Sequence, residues 1–223
     1  IRPYTIDTWD FTFNIKSKTD RKIHDDEIMC IMHGDNSGVY QAMLFIAFFN
    51  EKLGNSKKAK EWKDRAEILK KNMFIHLWNG KFFRHQLCIN GEEIDNLENV
   101  RLSLSNTYDM NRGVTNLEQS RSIIEEFIDR RKTTDFFAEW FSIDPPYEKF
   151  ADLTAGQYVN GGISPFTAGE LAKAAFNNGY EEYGYDILER FADLTERDNR
   201  IYFLYNGKKI KIDNFLFFFC YKL

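Results

Sequence analysis

The sequence lacks the features that mark several large classes of protein. It has only 4 prolines and 3 cysteines in 223 residues, and the cysteines, Cys30, Cys88 and Cys220, are far apart and odd in number. That pattern excludes a dense disulfide framework and predicts free thiols in a reducing, cytoplasmic setting. The net charge is −4 and no basic block stands out, so we expect no nucleic-acid partner. No apolar run approaches the length of a membrane span, so we expect no membrane partner.

Motifs for several kinds of chemistry are also missing. The four histidines, His24, His33, His76 and His85, are not in a zinc-ligand spacing. The chain contains neither a glycine-rich phosphate loop nor a Gly-x-Ser-x-Gly elbow. We therefore expect no metal and no cofactor. Aromatic residues, in contrast, are abundant at 16%, which suits a core of large side chains and also a surface on which sugars stack.

Two segments predict helices that are apolar on nearly every side and therefore lie inside the fold. Residues 39–49 form the first, and its start is predicted just upstream, where Asp35, Asn36 or Ser37 can cap it. Residues 163–176 form the second, in which Glu170 is one of only two charged residues. Both segments predict inner helices.

Each inner helix is followed by an amphipathic helix with one solvent-exposed face. Residues 59–73 and 181–194 carry apolar side chains at spacings of three and four, with charged residues between them. An aromatic segment with an Asn-Gly turn follows each amphipathic helix, over 77–83 and 199–209. The order of inner helix, outer helix and hairpin thus occurs twice, which indicates a structural repeat.

The region between these two copies predicts a degenerate middle copy. Residues 102–113 have no clear period and predict a loop with at most a short inner helix, whereas 116–131 predict an amphipathic helix. Residues 136–143 are strand-like. We predict a single, partial domain over 1–223, with an atypical apolar tail at 208–223.

This alternation of inner and outer helices resembles the (α/α)6 toroid of the six-hairpin glycosidases. Trp9-Asp10-Phe11-Thr12 is similar to the Trp-Asp-Phe-Ser element that carries the catalytic acid in trehalases and related processing α-glucosidases. Asn160-Gly-Gly-Ile-Ser-Pro165 resembles their Gly-Pro-Ile-Trp-Pro segment at the start of a helix that lines the sugar pocket. The resemblance implies an all-α toroid, incomplete because six hairpins need more helices than the chain offers, and it implies a glycoside hydrolase.

An inverting hydrolase needs a protonated carboxyl at the leaving oxygen and a second carboxylate that activates water. We predict Asp10 as the acid, since the resemblance places it there and the apolar neighbour Trp9 favours a protonated carboxyl. Glu139, beside Trp140, is the first candidate for the base and Glu170 is the second. The structural alternatives are an exposed strand glutamate for Glu139 and a buried ion-pair partner for Glu170.

The predicted sugar contacts are polar side chains near helix starts and aromatic rings that can stack. They comprise Asp7, Trp9, Asp35, Asn36, Trp140, Tyr158 and Asn160, with Tyr108, Asn111 and Arg112 as further polar candidates. Helix capping would explain Asp35 and Asn36 equally well, and core packing would explain the aromatic residues.

The sequence is also compatible with two other functions. A sugar epimerase of the related α/α barrels would need histidines as proton carriers at the pocket, and none of the four lies in the pocket motifs. A decayed toroid would serve only as a carbohydrate-binding module. All three readings share a carbohydrate partner, and none predicts the oligomeric state.

Overall fold

The fold is known from a computed structural model, which describes residues 29–89, 93, 95–150 and 153–207. The predicted acid Asp10 and the predicted sugar contacts Asp7 and Trp9 lie outside the described residues. So does the segment 208–223. The architecture below therefore concerns the part of the domain that follows the Trp-Asp-Phe element.

Helices dominate the described residues. They are α1 (His33–Lys52), α2 (Ser56–Leu77), α3 (Ser105–Asn111), α4 (Leu117–Thr133), α5 (Pro165–Asn177) and α6 (Glu181–Asp198). Helix α1 packs against α2, and α5 packs against α6. The short helix α3 contacts both α1 and α5, so these three make an inner row and α2, α4 and α6 make an outer one. The predicted alternation of inner and outer helices, with a short inner helix in the middle copy, is confirmed.

Short antiparallel ribbons lie between the helices. Strand β1 (Cys30–Met32) pairs with β2 (Gln86–Cys88), β3 (Leu102–Ser103) with β4 (Ile143–Asp144), and β5 (Lys149–Phe150) with β6 (Leu153–Thr154). Strand β1 runs straight into α1, and β3 ends just before α3. Ile163, which forms bridges to Phe141 and Tyr205, precedes α5 in the same way. Each inner helix thus begins directly after a hydrogen-bonded extended segment.

The starts of two helices follow the capping chemistry of their sequences. Asn116 and Gln119 form a reciprocal capping box at α4, in which each side chain accepts a hydrogen bond from the other residue's backbone N–H. Ser164 accepts from the N–H of Phe166 at the start of α5, and Pro165 occupies the first turn. Both boundaries lie within a residue or two of the predicted ones.

The start of α1 differs from the prediction. The helix begins at His33, and Met32 before it makes no side-chain cap. Asn36 lies inside the first turn and donates instead to the carbonyl of Met32, at 2.7 Å. Asp35 also lies within the first turn. Neither residue is the cap, because β1 delivers an already extended chain to the helix.

The second correction concerns the segment 136–143, which the sequence predicted to be strand-like. Of residues 136–143 only Ile143 belongs to a strand, and Phe136 and Phe141 make isolated bridges. These aromatic residues serve the core instead: Phe136, Trp140 and Phe141 are buried against α4 and α5. The Asn79-Gly80 turn is as predicted, since Trp78 bridges Phe83 and the Asn79 side chain accepts from two backbone N–H groups.

The inner helices are not enclosed on every side. Phe166 on α5 is 56% exposed, and Phe45 and Phe49 on α1 are 55% and 61% exposed. Burial is restricted to the faces that meet a neighbouring helix, such as Leu171 and Ala175 of α5. Among the described helices, none is both long and apolar enough to cross a membrane.

Candidate functional site

A cleft of about 340 Å³ opens where the inner helices α1 and α3 begin. Its wall is a mixture of hydroxyl, imidazole, carboxylate and apolar side chains, namely Met32, Asp35, His85, Ser103, Leu104, Ser105, Ser142, Tyr147, Phe150 and Val159. A concave site of this size and mixed polarity suits a small polar ligand.

Asp35 is the one carboxylate among the described residues that line the cleft. It lies in the first turn of α1, whose N-terminal N–H groups carry a partial positive charge. Ser105, at the start of α3, is packed so close to Gly34 that a Cβ on this glycine would lie 2.3 Å from the serine Oγ. The glycine therefore allows the two helix starts, and with them Asp35 and Ser105, to share one cleft. Such a set can bind the hydroxyl groups of a sugar.

A buried polar cluster supports one wall of the cleft. The Tyr147 hydroxyl donates to Glu98 Oε1 at 2.5 Å and lies 3.0 Å from His85 Nδ1. The Arg101 guanidinium lies 3.7 Å from the centre of the Tyr147 ring. Tyr147 is therefore held in place by Glu98, Arg101 and His85, of which His85 also lines the cleft.

The protonation of this cluster follows from its burial. Burial lowers the pKa of His85 by more than the nearby Glu98 raises it. Burial and the negative charge of Glu98 raise the pKa of Tyr147 well above its usual value. Burial raises the pKa of Glu98, but the nearby His85, the hydrogen bond from Tyr147 and the charge of Arg101 bring it below the usual value. Near neutral pH the cleft therefore presents an uncharged imidazole and a protonated phenol.

A second hydrogen-bonded chain ends at the cleft. His33 Nδ1 lies 2.5 Å from Asp109 Oδ2, and its Nε2 lies 2.9 Å from Ser103 Oγ. Both the imidazole and the carboxylate are buried, and the serine lines the cleft. Because His33, Ser103 and Asp109 come from α1, β3 and α3, this chain fixes the three elements together and orients the Ser103 hydroxyl. Sequence reasoning missed this chain because His33 lies 70 positions before Ser103 and 76 before Asp109, and the three residues share no motif.

Glu139 is not at the cleft. Its side chain is fully buried, both of its oxygens accept from Arg190 at 2.7 and 3.0 Å, and the Tyr183 hydroxyl donates to it at 2.9 Å. Burial, together with this carboxylate, raises the pKa of Tyr183. A carboxylate enclosed in this way has no access to water, which argues against the general-base role predicted from the sequence. The ion pair ties the segment before α5 to the outer helix α6.

Trp140 and Asn160, predicted as sugar contacts, are also internal. Trp140 is 2% exposed and packs near Phe191 and under Arg190. Asn160 is buried and bonds to both the N–H and the carbonyl of Tyr147, at 2.9 and 3.1 Å. The Asn160 side chain therefore stabilises a loop that lines the cleft. Asn160 itself does not line the cleft.

The glycines after Asn160 serve close packing within the chain. A Cβ on Gly162 would lie 2.3 Å from Leu204 Cδ2 and 2.5 Å from the Tyr158 carbonyl oxygen. Tyr158 is partly buried, has a positive φ of 42°, and its ring centre lies 6.4 Å from that of Phe203. It stays a predicted stacking residue, outside the cleft.

Glu170 lies among the polar residues that the sequence indicated as further candidates. Asn111 donates to both the carboxylate and the backbone carbonyl of Glu170, at 2.7 and 2.8 Å. Burial and the charge of Glu170 raise the pKa of Tyr108, and the Arg112 guanidinium lies 5.0 Å from the Tyr108 ring centre. These four residues are all partly exposed and come from α3, its end and α5. Glu170 is therefore a carboxylate that solvent can reach.

Within the described residues, no group of three or more His, Cys, Asp or Glu side chains is placed to hold a metal ion.

Comparison with known proteins gives one family. The family model for trehalase matches residues 7–136, which is more than half of the chain and includes the Trp-Asp-Phe element. No curated protein matches the sequence significantly.

Solved structures of similar fold include glycosidases. A GH63 mannosylglycerate hydrolase from Thermus thermophilus, in complex with glucose, superposes with a TM-score of 0.60 at 14% identity, over 82% of this chain and 41% of its own. The same enzyme with Tris and D-glycerate gives 0.59 at 16% identity, over 81% and 41%. A sialidase structure gives 0.63 at 15% identity, over 83% of this chain and 18% of its own. At these identities the likeness concerns the fold, and the chain spans about two fifths of the length of the hydrolase.

Proposed function

The chain belongs to the trehalase family, and from this premise we propose that it acts in the hydrolysis of an O-glycosidic bond in a disaccharide or oligosaccharide. The observation that carries the proposal is the cleft at the starts of α1 and α3, in which Asp35 lies beside uncharged donors and acceptors. Sugars are recognised by such hydroxyl, imidazole and carboxylate groups, and water must be able to enter beside them.

The proposed reaction is inverting and uses two carboxyl groups. Asp10 donates a proton to the leaving oxygen, as its position in the Trp-Asp-Phe element suggests. Neither of the two carboxylates predicted as the base lines the cleft, and Glu170 is the proposed base because it is partly exposed and on an inner helix, whereas Glu139 is enclosed by Arg190. The base removes a proton from a water that attacks the anomeric carbon from the face opposite the leaving group.

The cleft residues have the proposed task of positioning the sugar. Asp35 accepts hydrogen bonds from sugar hydroxyls at the start of α1. Tyr147 and His85 face the same space as a phenol and an uncharged imidazole. Ser103, oriented by His33, supplies a further hydroxyl. Uncharged groups suit a neutral sugar because they are desolvated at lower cost than charged ones.

The test is an assay of the full chain on α,α-trehalose, glucose-containing disaccharides and aryl glycosides. We expect turnover, with the first-formed sugar of inverted anomeric configuration by proton NMR. Asp10→Asn and Glu170→Gln should each lower kcat by roughly 10²-fold or more, whereas the exposed Glu118→Gln should not. Turnover that survives Asp10→Asn would contradict the proposed acid, and turnover that survives Glu170→Gln would contradict the proposed base. Sugar binding without any turnover would favour the binding-module alternative.

A second candidate, a sugar epimerase, is favoured by one observation. His85 lies in the cleft, although no histidine lies in the pocket motifs of the sequence. An uncharged imidazole can take up a proton from a sugar carbon, which hydrolysis does not require. Interconversion of monosaccharides without release of a second sugar, abolished by His85→Asn, would support this function over hydrolysis.

A further inference from the structure

Two cysteines face each other across the β1–β2 ribbon. Cys30 and Cys88 are direct partners in the antiparallel register, and their sulfur atoms lie 3.2 Å apart. Both are free cysteines. The adjacent pair, Met29 and Ile89, is joined by a backbone hydrogen bond at 2.9 Å, so Cys30 and Cys88 occupy the alternate, non-hydrogen-bonded kind of position. Side chains are closest at such positions, and the Cα separation of about 4.5 Å falls within the range of disulfides.

The two thiols have different environments. Cys30 is 3% exposed, whereas Cys88 is partly exposed and can be reached from solvent. The hydrogen bond from the Cys30 thiol lowers the pKa of Cys88, against the effects of burial and of the nearby Glu93 and Glu98. The same bond and burial raise the pKa of Cys30. Cys88 is therefore suited to attack an external disulfide, and Cys30 to resolve the product.

We propose that Cys30 and Cys88 form a reversible redox pair, which closes to a cross-strand disulfide when the chain meets a low-molecular-weight disulfide such as oxidised glutathione. This proposal does not depend on the proposed hydrolase function. It adds to that function a modification site beside the cleft.

The exchange proceeds in two balanced steps. The Cys88 thiolate attacks one sulfur of oxidised glutathione, which breaks the glutathione disulfide and releases one glutathione thiolate. The Cys30 sulfur then attacks the sulfur of Cys88 in the mixed disulfide and releases the second glutathione. The two thiol protons of the protein pass to the two glutathione thiolates, so the protein loses two hydrogens and one oxidised glutathione becomes two reduced ones.

Closure affects elements that carry part of the cleft wall. Met32 lies two residues after Cys30, at the end of β1, and His85 lies three residues before Cys88; both line the cleft. The sulfur atoms need to approach from 3.2 Å to about 2.05 Å, so little backbone movement is required. Because the cysteines are 58 positions apart, the cross-link restricts the unfolded chain and should raise Tm by roughly 5–15 °C.

The experiment incubates the full chain, in a Cys220→Ser background, with oxidised and reduced glutathione at a series of ratios, followed by alkylation and peptide mapping. We expect a peptide that contains Cys30 linked to Cys88, the loss of two hydrogens from the intact chain, reversal by dithiothreitol and the higher Tm. The matched variant Cys88→Ser should show neither the cross-link nor the shift in Tm. In Cys30→Ser, we expect Cys88 to stop at the mixed glutathione disulfide.

Three results would overturn the proposal. Both thiols could remain alkylatable in oxidised glutathione alone, Cys88 could stay a mixed disulfide while Cys30 remains free, or cross-links could form only between chains. If Cys220→Ser fails to fold, the map of the unsubstituted chain decides the question, because peptides that contain Cys220 differ in mass from the Cys30–Cys88 product.

Discussion

Single residues in this protein divide by whether a polar side chain is enclosed by partners or open to the cleft. Glu139 shows the first case, with both oxygens bonded to Arg190 and one also to Tyr183. Ser105 shows the second, since its partly exposed side chain lines the cleft at the start of α3. An enclosed carboxylate contributes to stability, whereas a partly exposed group that lines the cleft can meet a ligand.

Glu139→Gln should lower the free energy of unfolding by about 2 kcal/mol or more, because it removes the buried carboxylate that pairs with Arg190, whose remaining ion pair is with the partly exposed Asp186. Urea unfolding measures the change. Asp129→Asn, which removes one carboxylate of an exposed ion pair with Lys132, is the matched control and should leave the unfolding curve unchanged within error. A large loss of turnover per folded molecule in Glu139→Gln, with stability intact, would instead restore the catalytic role.

His85 makes stability depend on pH in a defined window. Its pKa in the folded chain is lowered by burial, below the unfolded value of about 6.5. As pH falls past about 6.5 the unfolded chain binds the proton first, so the free energy of unfolding falls until the folded pKa is reached and then levels off.

Unfolding measured between pH 7.5 and 5 should therefore show declining stability, and His85→Gln should flatten that decline. Glu98, whose pKa is also lowered, acts only below its unfolded value of about 4.5. A slope between pH 7.5 and 5 that is identical in His85→Gln and the unsubstituted chain would contradict the assignment.

The sequence was informative about single residues where local chemistry decides, and uninformative where burial decides. Asp35 was predicted at the start of an inner helix and lies there, in the first turn of α1, although it is not the cap. The enclosure of Glu139 and Trp140 could not, because their partners Arg190 and Phe191 lie about 50 positions away in α6. A separation of 70 positions likewise concealed the contact between His33 and Ser103.

At the scale of elements, the ends of helices are set by side chains that satisfy the first N–H groups. Asn116→Ala removes one arm of the capping box at α4 and should lower the free energy of unfolding by about 1 kcal/mol. Asn55→Ala is the matched control, because Asn55 precedes α2 without a side-chain cap bond and its loss should cost less. Equal effects in thermal or urea unfolding would show that the capping box adds nothing.

The amphipathic helices, which have one solvent-exposed face, were the elements that the sequence predicted best. Helices α2, α4 and α6 alternate apolar and charged residues with a helical period, so their own sequence specifies both the structure and the buried face. The aromatic segment 136–143 has no such period. Its rings are buried by α4 and α5, and this tertiary packing favours an irregular backbone over the strand that its composition indicates.

At the scale of the whole molecule, the three inner helices are aligned so that two of their starts open on one cleft. The order of helices and the trehalase relationship were predictable from the sequence, because the repeat and the Trp-Asp-Phe element lie in the chain itself. The cleft was not, because it depends on how β1, β3 and two distant loops converge. Exposed Phe45, Phe49 and Phe166 show faces of the inner row that no described helix covers.

The central claim is that the cleft binds sugar, and titration calorimetry with α,α-trehalose tests it most directly. The titration uses the Asp10→Asn background, so that the sugar is not consumed. Val159→Trp should fill the cleft and weaken binding by at least about tenfold, while Glu118→Trp, on the exposed first turn of α4, should bind as the background does. Binding that is unchanged in Val159→Trp would contradict the account.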